Sequence, residues 1–193
     1  MCIRDRFRPV ARPDDFYLVV AALVPYKRID LAVAAANRLR RRLLVVGSGP
    51  EARRLRALAG PTVEFVGWRP DAEVADLYAR CRAVLFPAVE DYGIVPLEAA
   101  AAGRPTIALA RGGALETMIG LGRTEASPTA LFFEEQTEAA MTKAILDFEA
   151  AEQRFDPAAL RARAAEFDTA VFRRRVREYL DGRWGEFQAR RAC

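Results

Sequence analysis

The sequence predicts an α/β fold, a doubly wound, Rossmann-like parallel sheet of about six strands with flanking helices. Three observations predict this fold. Short apolar runs alternate with segments of helical periodicity along most of the chain. Each run is mostly apolar on both of its faces, which is typical of parallel strands covered by helices on both sides. Most runs end in a short turn that leads directly into a helical segment, as in repeated βα units.

Six apolar runs are the expected strands, and helical segments separate them. The expected strands are residues 16–22, 43–46, 63–66, 83–86, 106–109 and 130–133. The expected helices between them are residues 28–41, 51–59, 72–80, 96–102 and 115–119. Apolar residues recur at helical spacing in residues 137–151, and two further helices are expected from Pro157 and from about Thr169.

The domain organisation follows from the ends of this pattern. Residues 1–6 match nothing downstream and are expected to be an artefact or scar, and residues 7–15 to be a polar linker. Residues 16–166 are expected to form the α/β domain. Residues 167–193 are expected to form a C-terminal helix, on which Phe172, Val176 and Tyr179 make one apolar stripe.

The composition excludes several classes of protein and site. The chain has no histidine, which excludes Ser-His and Cys-His nucleophile pairs and most zinc sites. Cys2, Cys81 and Cys193 lie far apart and offer no disulfide framework, which favours a reducing cytoplasm. No apolar run is long enough to span a bilayer, and the first residues lack the apolar stretch of a signal peptide.

Basic residues are concentrated at the two ends of the sequence. Lys and Arg exceed Asp and Glu by six in residues 1–42 and by four in residues 154–193, and fall six short in between, which gives the net charge of +4. Solvated helix faces explain such ends, and docking on anionic lipid or on another domain is the alternative. No nucleic-acid partner is expected, because no groove-binding motif or interleaved aromatic pattern accompanies the charge.

The first candidate site is the turn after the first strand, where Lys27 and Arg28 precede a helix. Ligands of doubly wound sheets bind at the carboxyl ends of the strands, so this turn lies on the ligand side. Two cations beside unpaired backbone N–H groups form a phosphate site. The alternative is an exposed basic pair, although positive charge at a helix start opposes the helix dipole.

The second candidate is the turn after the second strand, in which Gly47 and Gly49 permit a close approach of the backbone to a ligand. A dinucleotide-binding fingerprint requires a third glycine and belongs to the first βα turn. This turn satisfies neither condition, so it provides little support for a dehydrogenase.

The third candidate is the segment from Glu90 to Glu98, which follows the fourth strand. Gly93 permits close approach, and Pro96 is expected to be the first helical residue. The N–H groups of Ile94, Val95 and Leu97 would then be unpaired and point toward the strand ends. A carboxylate accepts two hydroxyl hydrogens at once, as a sugar 1,2-diol requires. The segment therefore combines anion-binding amides with two diol acceptors, which indicates a nucleotide-sugar pocket.

The fourth candidate is the pair Gly112 and Gly113, which opens another helix at the strand ends. Two glycines there can approach a phosphate or a sugar closely. A plain glycine-rich turn is an equally good explanation of the pair.

The order of these motifs resembles the C-terminal, donor-binding domain of GT-B glycosyltransferases of family 4. The resemblance covers essentially residues 7–180, and its specific part is the segment 90–103, with two glutamates eight positions apart around Gly-Ile-Val-Pro-Leu. The sequences of residues 23–30 and 111–117 are most similar to those of bacterial O-antigen mannosyltransferases that use GDP-mannose. The resemblance implies a retaining hexosyltransferase, here a mannosyltransferase acting in polysaccharide biosynthesis, and makes residues 16–166 its nucleotide-sugar-binding domain.

The resemblance also implies roles for individual residues. Lys27 would contact the diphosphate and, with Glu90, would be catalytic. Glu90 would hold hydroxyls of the transferred sugar, near the backbone amides of Gly93 and Ile94. Glu98 would bind the ribose diol.

Three further implications concern the base, the phosphate and the metal. The backbone of Gly67 and Trp68 would frame the base. Many relatives have arginine where this chain has Ala22, so one phosphate contact is absent, and Arg28 would compensate for it. No cofactor and no bound metal are expected, because cations and helix N-termini stabilise the leaving diphosphate.

The resemblance implies partners as well. The donor is a nucleotide sugar, and an N-terminal acceptor-binding domain, which would precede Phe7, is expected to complete the cleft. The acceptor is a glycan or a lipid-linked molecule, which leaves a peripheral position at the inner face of the plasma membrane open. A 2-epimerase or phosphorylase on the same fold, and a stand-alone nucleotide-sugar-binding module, are the alternatives.

Overall fold

The computed structural model describes residue 7 and residues 10–191. Within them, one six-stranded sheet has the strand order β3-β2-β1-β4-β5-β6, and every pair of neighbours is parallel. The strands are β1 (Tyr17–Val20), β2 (Leu43–Val46), β3 (Val63–Gly67), β4 (Ala83–Phe86), β5 (Thr106–Leu109) and β6 (Ala130–Phe133). The prediction of a doubly wound, Rossmann-like sheet is confirmed.

Helices follow the strands in the expected alternation. They are α1 (Ile29–Leu39), α2 (Ala52–Leu58), α3 (Asp71–Arg80), α4 (Ile94–Ala101), α5 (Ala114–Thr117), α6 (Glu138–Ala151), α7 (Pro157–Ala165) and α8 (Thr169–Arg191). Single 3₁₀ turns lie at Pro25–Lys27 and Glu152–Arg154. The predicted artefact at residues 1–6 lies outside the described residues.

The order of the strands places helices on both faces of the sheet. Strands β1 to β3 progress in one direction and β4 to β6 in the other, so right-handed crossovers put α1 and α4 on opposite faces. Helix α6 packs against α1, and α7 packs against α4. Strands β1, β2, β4 and β5 are thereby covered on both sides, which explains why their sequences are continuous apolar runs.

Local signals in the sequence explain where the later helices begin. The Thr137 side chain accepts a hydrogen bond from the Ala140 N–H at 3.2 Å and caps α6. Asp156 caps α7 in the same way, and Pro157 follows it as the first helical residue.

Helix α1 is shorter than predicted, because Arg28 and Arg40 at its two ends adopt left-handed backbone conformations with φ near 50°.

Helix α8 differs from the other helices because its apolar side chains remain exposed. Phe172, Tyr179 and Trp184 are each about 60% exposed, on a helix that carries seven arginines. No helix among the described residues is both long enough and apolar enough to cross a bilayer. The predicted apolar stripe on α8 is therefore a face of the helix that the rest of the described structure does not cover.

Candidate functional site

A cavity of about 510 Å³ opens at the carboxyl ends of β1 and β2. Its walls include Lys27 from the turn after β1, Gly47 and Ser48 from the turn after β2, and Trp68 after β3. Glu98 enters from α4. Three turns and helix α4, which follow four different strands, meet here because parallel strands end at one edge of the sheet.

A second cavity of about 450 Å³ lies beside the first, between the 3₁₀ turn at Pro25–Lys27 and the loop after β4. It is lined by Tyr26, by Glu90 and Gly93 of that loop, and by the start of α4. Val95 lines both cavities, so the two are adjacent. Each has a volume typical of a small-molecule site.

Lys27 and Glu90 form an ion pair where the two cavities adjoin. Lys27 lines the first cavity and Glu90 lines the second. Their side chains are 14% and 22% exposed, so water screens the pair only partly. The structure thus brings the two predicted catalytic side chains together, although 63 positions separate them in the sequence.

Arg28 lies next to Lys27, but its side chain engages a different partner. The guanidinium makes two hydrogen bonds of 3.2 Å to the carboxylate of Asp30, in the first turn of α1. Arg28 does not line either cavity. To act as the predicted phosphate ligand, it would have to leave Asp30.

Helix α4 begins at Ile94, two residues earlier than predicted. Gly93, at φ 75° and ψ 78°, turns the chain into the helix, a conformation that other residues rarely adopt. The prediction that Pro96 is the first helical residue is therefore wrong. Pro96 occupies the third position, where a missing N–H costs nothing because the first-turn amides have no partner within the helix. Gly93, the N-cap residue, has no side chain to cap α4, and Ile94 and Val95 of the uncapped first turn line the second cavity.

Glu98 lines the first cavity, and a residue that the sequence did not single out contacts it. The hydroxyl of Tyr78, on α3, donates to Oε2 of Glu98 at 3.1 Å. The tyrosine is completely buried. Tyr78 lies four residues after Val74 on the buried face of α3, which is the spacing of a core residue, and only the fold shows that its hydroxyl meets Glu98.

Gly112 and Gly113 contact the loop that carries Glu90, and they do not line either cavity. The N–H of Gly113 donates to the carbonyl oxygen of Glu90 at 2.8 Å. A Cβ on Gly112 would overlap that same carbonyl, and one on Gly113 would overlap the backbone of Asp91. The glycines therefore allow two loops to pack backbone against backbone, which positions Glu90.

Gly47 and Trp68 line the first cavity, whereas Gly67 does not. The N–H of Gly47 donates to the carbonyl oxygen of Gly67 at 2.9 Å, which joins the turns after β2 and β3. A Cβ on Gly47 would overlap the carbonyl oxygen of Ala21, so its close approach is to the turn after β1. Trp68 is 70% exposed and forms an outer wall.

Two observations on the described residues concern metal ligands and the Cys81 thiol. No group of three His, Cys, Asp or Glu side chains there could hold a metal ion. Burial raises the pKa of the Cys81 thiol to about 12, so this thiol stays protonated and unreactive at neutral pH.

Comparison with known proteins identifies a matching family and several related sequences. Residues 15–150 match the family model described as glycosyl transferases group 1. The Escherichia coli O-antigen chain mannosyltransferase C is 38% identical over 101 residues, which cover 49% of this chain and 27% of the relative. A Mycobacterium tuberculosis GDP-mannose-dependent α-(1-6)-phosphatidylinositol monomannoside mannosyltransferase is 37% identical over 134 residues, which cover 60% of this chain and 34% of the relative.

Glycogen synthase from Mycobacterium tuberculosis is 33% identical over 195 residues, which cover 94% of this chain and 46% of the relative. The chain thus spans less than half the length of each of these three relatives.

Solved structures show the same fold. Sucrose-phosphate synthase from Thermosynechococcus elongatus superposes with a TM-score of 0.77 and 27% identity, covering 94% of this chain and 50% of that one. The Anabaena protein HepE, in complex with UDP and glucose, gives a TM-score of 0.71 and 21% identity, covering 86% of this chain and 48% of that one.

Proposed function

The chain belongs to the group 1 glycosyltransferases, and from this premise we propose that it is the donor-binding part of a retaining hexosyltransferase that uses GDP-mannose. The observation that carries the proposal is the Lys27–Glu90 ion pair where the two cavities adjoin. A nucleotide sugar has a nucleoside and a sugar on either side of a diphosphate, and two adjacent cavities with a cation at their junction match that order.

The nucleoside occupies the first cavity in this proposal. Glu98 accepts hydrogen bonds from the two ribose hydroxyls, and the exposed face of Trp68 frames the base. Lys27 and the amides at the start of α4 face the diphosphate. The sugar then lies in the second cavity, beside Glu90 and Gly93.

The chemistry follows from where charge develops. Transfer breaks the bond between the anomeric carbon and the diphosphate oxygen, so negative charge grows on the leaving diphosphate. The Lys27 ammonium and the first-turn amides of α4 stabilise that charge without a metal ion. Glu90 holds the sugar hydroxyls, and its negative charge lies close to the ring as positive charge develops there.

The preference for GDP-mannose has support from two relatives. One is an O-antigen mannosyltransferase, and another is a GDP-mannose-dependent enzyme that acts on a phosphatidylinositol mannoside. By analogy with the phosphatidylinositol mannoside in the name of the second, we propose a lipid-linked acceptor, which the enzyme would meet at the cytoplasmic face of a membrane. An acceptor-binding domain, which the length of these relatives leaves room for, completes the cleft in this proposal.

A calorimetric titration tests the proposal. The 193-residue chain is titrated with GDP, UDP and ADP in excess EDTA, and GDP is expected to bind most tightly. Addition of GDP-mannose and a lipid or oligosaccharide acceptor to the same chain should give no transfer, because nothing orients the acceptor. Failure to bind any of the three nucleotides, or loss of binding on chelation, contradicts the proposal.

A further inference from the structure

The hydroxyl of Tyr78 lies inside the protein, next to the first cavity. Tyr78 is completely buried near the end of α3, and its hydroxyl donates to Oε2 of Glu98 at 3.1 Å. A buried hydroxyl needs a partner, and an ionised carboxylate is among the strongest acceptors a protein has. The bond therefore joins a rigid part of the core to a side chain that lines the cavity.

The ring of Tyr78 is held in place by its packing. Phe7 packs edge-on against it, with ring centroids 5.8 Å apart and an interplanar angle of 76°. Val74 and Ala75, one turn earlier on α3, are buried as well. The hydroxyl consequently has a fixed position, unlike that of an exposed tyrosine.

A fixed donor changes what the carboxylate of Glu98 can do. A free glutamate side chain samples many rotamers, and immobilising a rotamer-rich side chain on binding costs affinity. A bond from the core to one carboxylate oxygen fixes the plane of the carboxylate before any ligand arrives. Two vicinal hydroxyls require such a defined orientation, because both must point their hydrogens at the same carboxylate.

We propose that Tyr78 is a positioning residue that holds the Glu98 carboxylate in the orientation that accepts both ribose hydroxyls of the nucleotide. This inference rests on the proposed function, because it takes Glu98 as the ribose ligand. It adds a residue on α3 that acts through Glu98 and never touches the nucleotide.

The experiment compares GDP with 2′,3′-dideoxy-GDP, which lacks both ribose hydroxyls. The ratio of the two dissociation constants measures the contribution of the diol alone. We expect a ratio well above ten for the unmodified chain, since the analogue cannot make the two hydrogen bonds that the ribose hydroxyls donate to Glu98. In Tyr78→Phe, GDP should bind about three- to tenfold more weakly, while the analogue binds as before, so the ratio falls by the same factor.

Tyr17→Phe is the matched control. Tyr17 is also buried, and its hydroxyl also donates to a glutamate, Oε1 of Glu149 at 2.9 Å. That pair does not line either cavity at the carboxyl ends of the strands. Tyr17→Phe should therefore leave the ratio unchanged, even though it removes the same kind of bond.

Other outcomes separate this inference from the proposed function. Both ligands are measured on the same sample, so partial unfolding of a variant does not alter the ratio. Glu98→Gln should remove most of the ratio, and Tyr78→Phe added to it should change GDP affinity less than twofold. If Tyr78→Phe has the same ratio of dissociation constants as the unmodified chain, only the positioning role is overturned. A ratio near one in the unmodified chain overturns the assignment of Glu98 to the ribose and the positioning role that rests on it. Binding of GDP by that chain would still support the proposed function, and only failure to bind any nucleotide contradicts both.

Discussion

In the Lys27–Glu90 ion pair, Lys27 can bind either the diphosphate or the Glu90 carboxylate. In the proposed site the ammonium of Lys27 serves the diphosphate, yet in the structure it donates to the Glu90 carboxylate. A diphosphate at Lys27 therefore competes with Glu90 for the ammonium and is repelled by the carboxylate. Both effects are substantial, because the two side chains are largely buried and water screens them weakly.

Substitutions of Glu90 and of Lys27 should shift nucleotide affinity in opposite directions. Glu90→Gln is expected to raise GDP affinity a few fold, because it releases Lys27 and removes a negative charge beside the phosphates. Lys27→Met should weaken GDP about ten- to a hundredfold, the effect of losing a charge-assisted hydrogen bond. Calorimetry on both variants measures these changes.

Lys143→Met provides the control for the lysine substitution. Lys143 is the other lysine of the chain and also pairs with a carboxylate, that of Asp147, but it is 74% exposed on α6. Its replacement should leave GDP affinity unchanged. If Glu90→Gln bound GDP more weakly than the unmodified chain, the competition between Glu90 and the diphosphate would be refuted.

At the scale of elements, the loop after β4 depends on a neighbouring loop for its position. Gly112, in the turn after β5, packs directly on the carbonyl of Glu90, and Gly113 donates a hydrogen bond to it. The sequence predicted that these glycines approach a ligand, and the structure gives them contacts with the backbone of residues 90–92. They influence the site through the position of Glu90.

Gly112→Ala should therefore change nucleotide affinity without touching the nucleotide. The added methyl group meets the Glu90 carbonyl, so the loop must shift and its ion pair with Lys27 is disturbed. The substitution also forces alanine to φ 68°, which costs about 1–2 kcal/mol of stability. We expect a lower melting temperature together with GDP binding that is a few fold tighter in calorimetry, as in Glu90→Gln, because Lys27 is released to the diphosphate.

Gly122→Ala separates the two effects. Gly122 has a similar φ of 75°, but nothing lies within 4 Å of the position of its added methyl group. This variant should lose only the stability that the unfavourable φ costs, and its GDP affinity should stay unchanged. Equal affinities for the two variants would show that Gly112 does not position the Glu90 loop.

The elements also show which features the sequence could predict. All six strands and the order of the helices were predictable, because burial on both faces imposes continuous apolar runs that are short and well separated. The start of α4 was not, because Pro96 is tolerated at several first-turn positions and only the backbone conformation of Gly93 decides between them. The contact between Tyr78 and Glu98 depends on how α3 packs beside α4, which no local pattern encodes.

At the scale of the whole molecule, the two ends of the sheet serve different purposes. The carboxyl ends of the strands hold the two cavities, and the amino ends hold a network of charged side chains. Glu149, on α6, accepts hydrogen bonds from Tyr17 at 2.9 Å and from two nitrogens of Arg41 at 2.7 and 2.9 Å. Arg82, just before β4, lies 3.5 Å from the same carboxylate. The network joins β1, β4 and α6, although Tyr17 and Glu149 are 132 positions apart.

This network should make the fold sensitive to acid. The hydrogen bond from Arg41 is the largest cause that holds the pKa of Glu149 below its usual value, and the bond from Tyr17 acts in the same direction. In the unfolded chain the carboxyl returns to its ordinary pKa of about 4.3 and binds protons more readily than in the folded chain. The stabilisation is therefore fully present above that pH and is lost as pH falls through the lower pKa of the folded state.

Glu149→Gln tests this link between charge and stability. At pH 7 the variant should melt about 4–8 °C below the unmodified chain, because it loses charge-assisted bonds to Arg41. As pH falls through the lowered pKa of Glu149 in the folded state, the two melting temperatures should converge, since the carboxyl of the unmodified chain is then protonated in the folded state as well. Asp147→Asn, on the same helix and 48% exposed, should alter neither the melting temperature at pH 7 nor its decline in acid by more than about 1 °C. Glu149→Gln removes the titrating group at this position. If its melting temperature nevertheless falls in acid as steeply as that of the unmodified chain, Glu149 is not the source of the acid sensitivity.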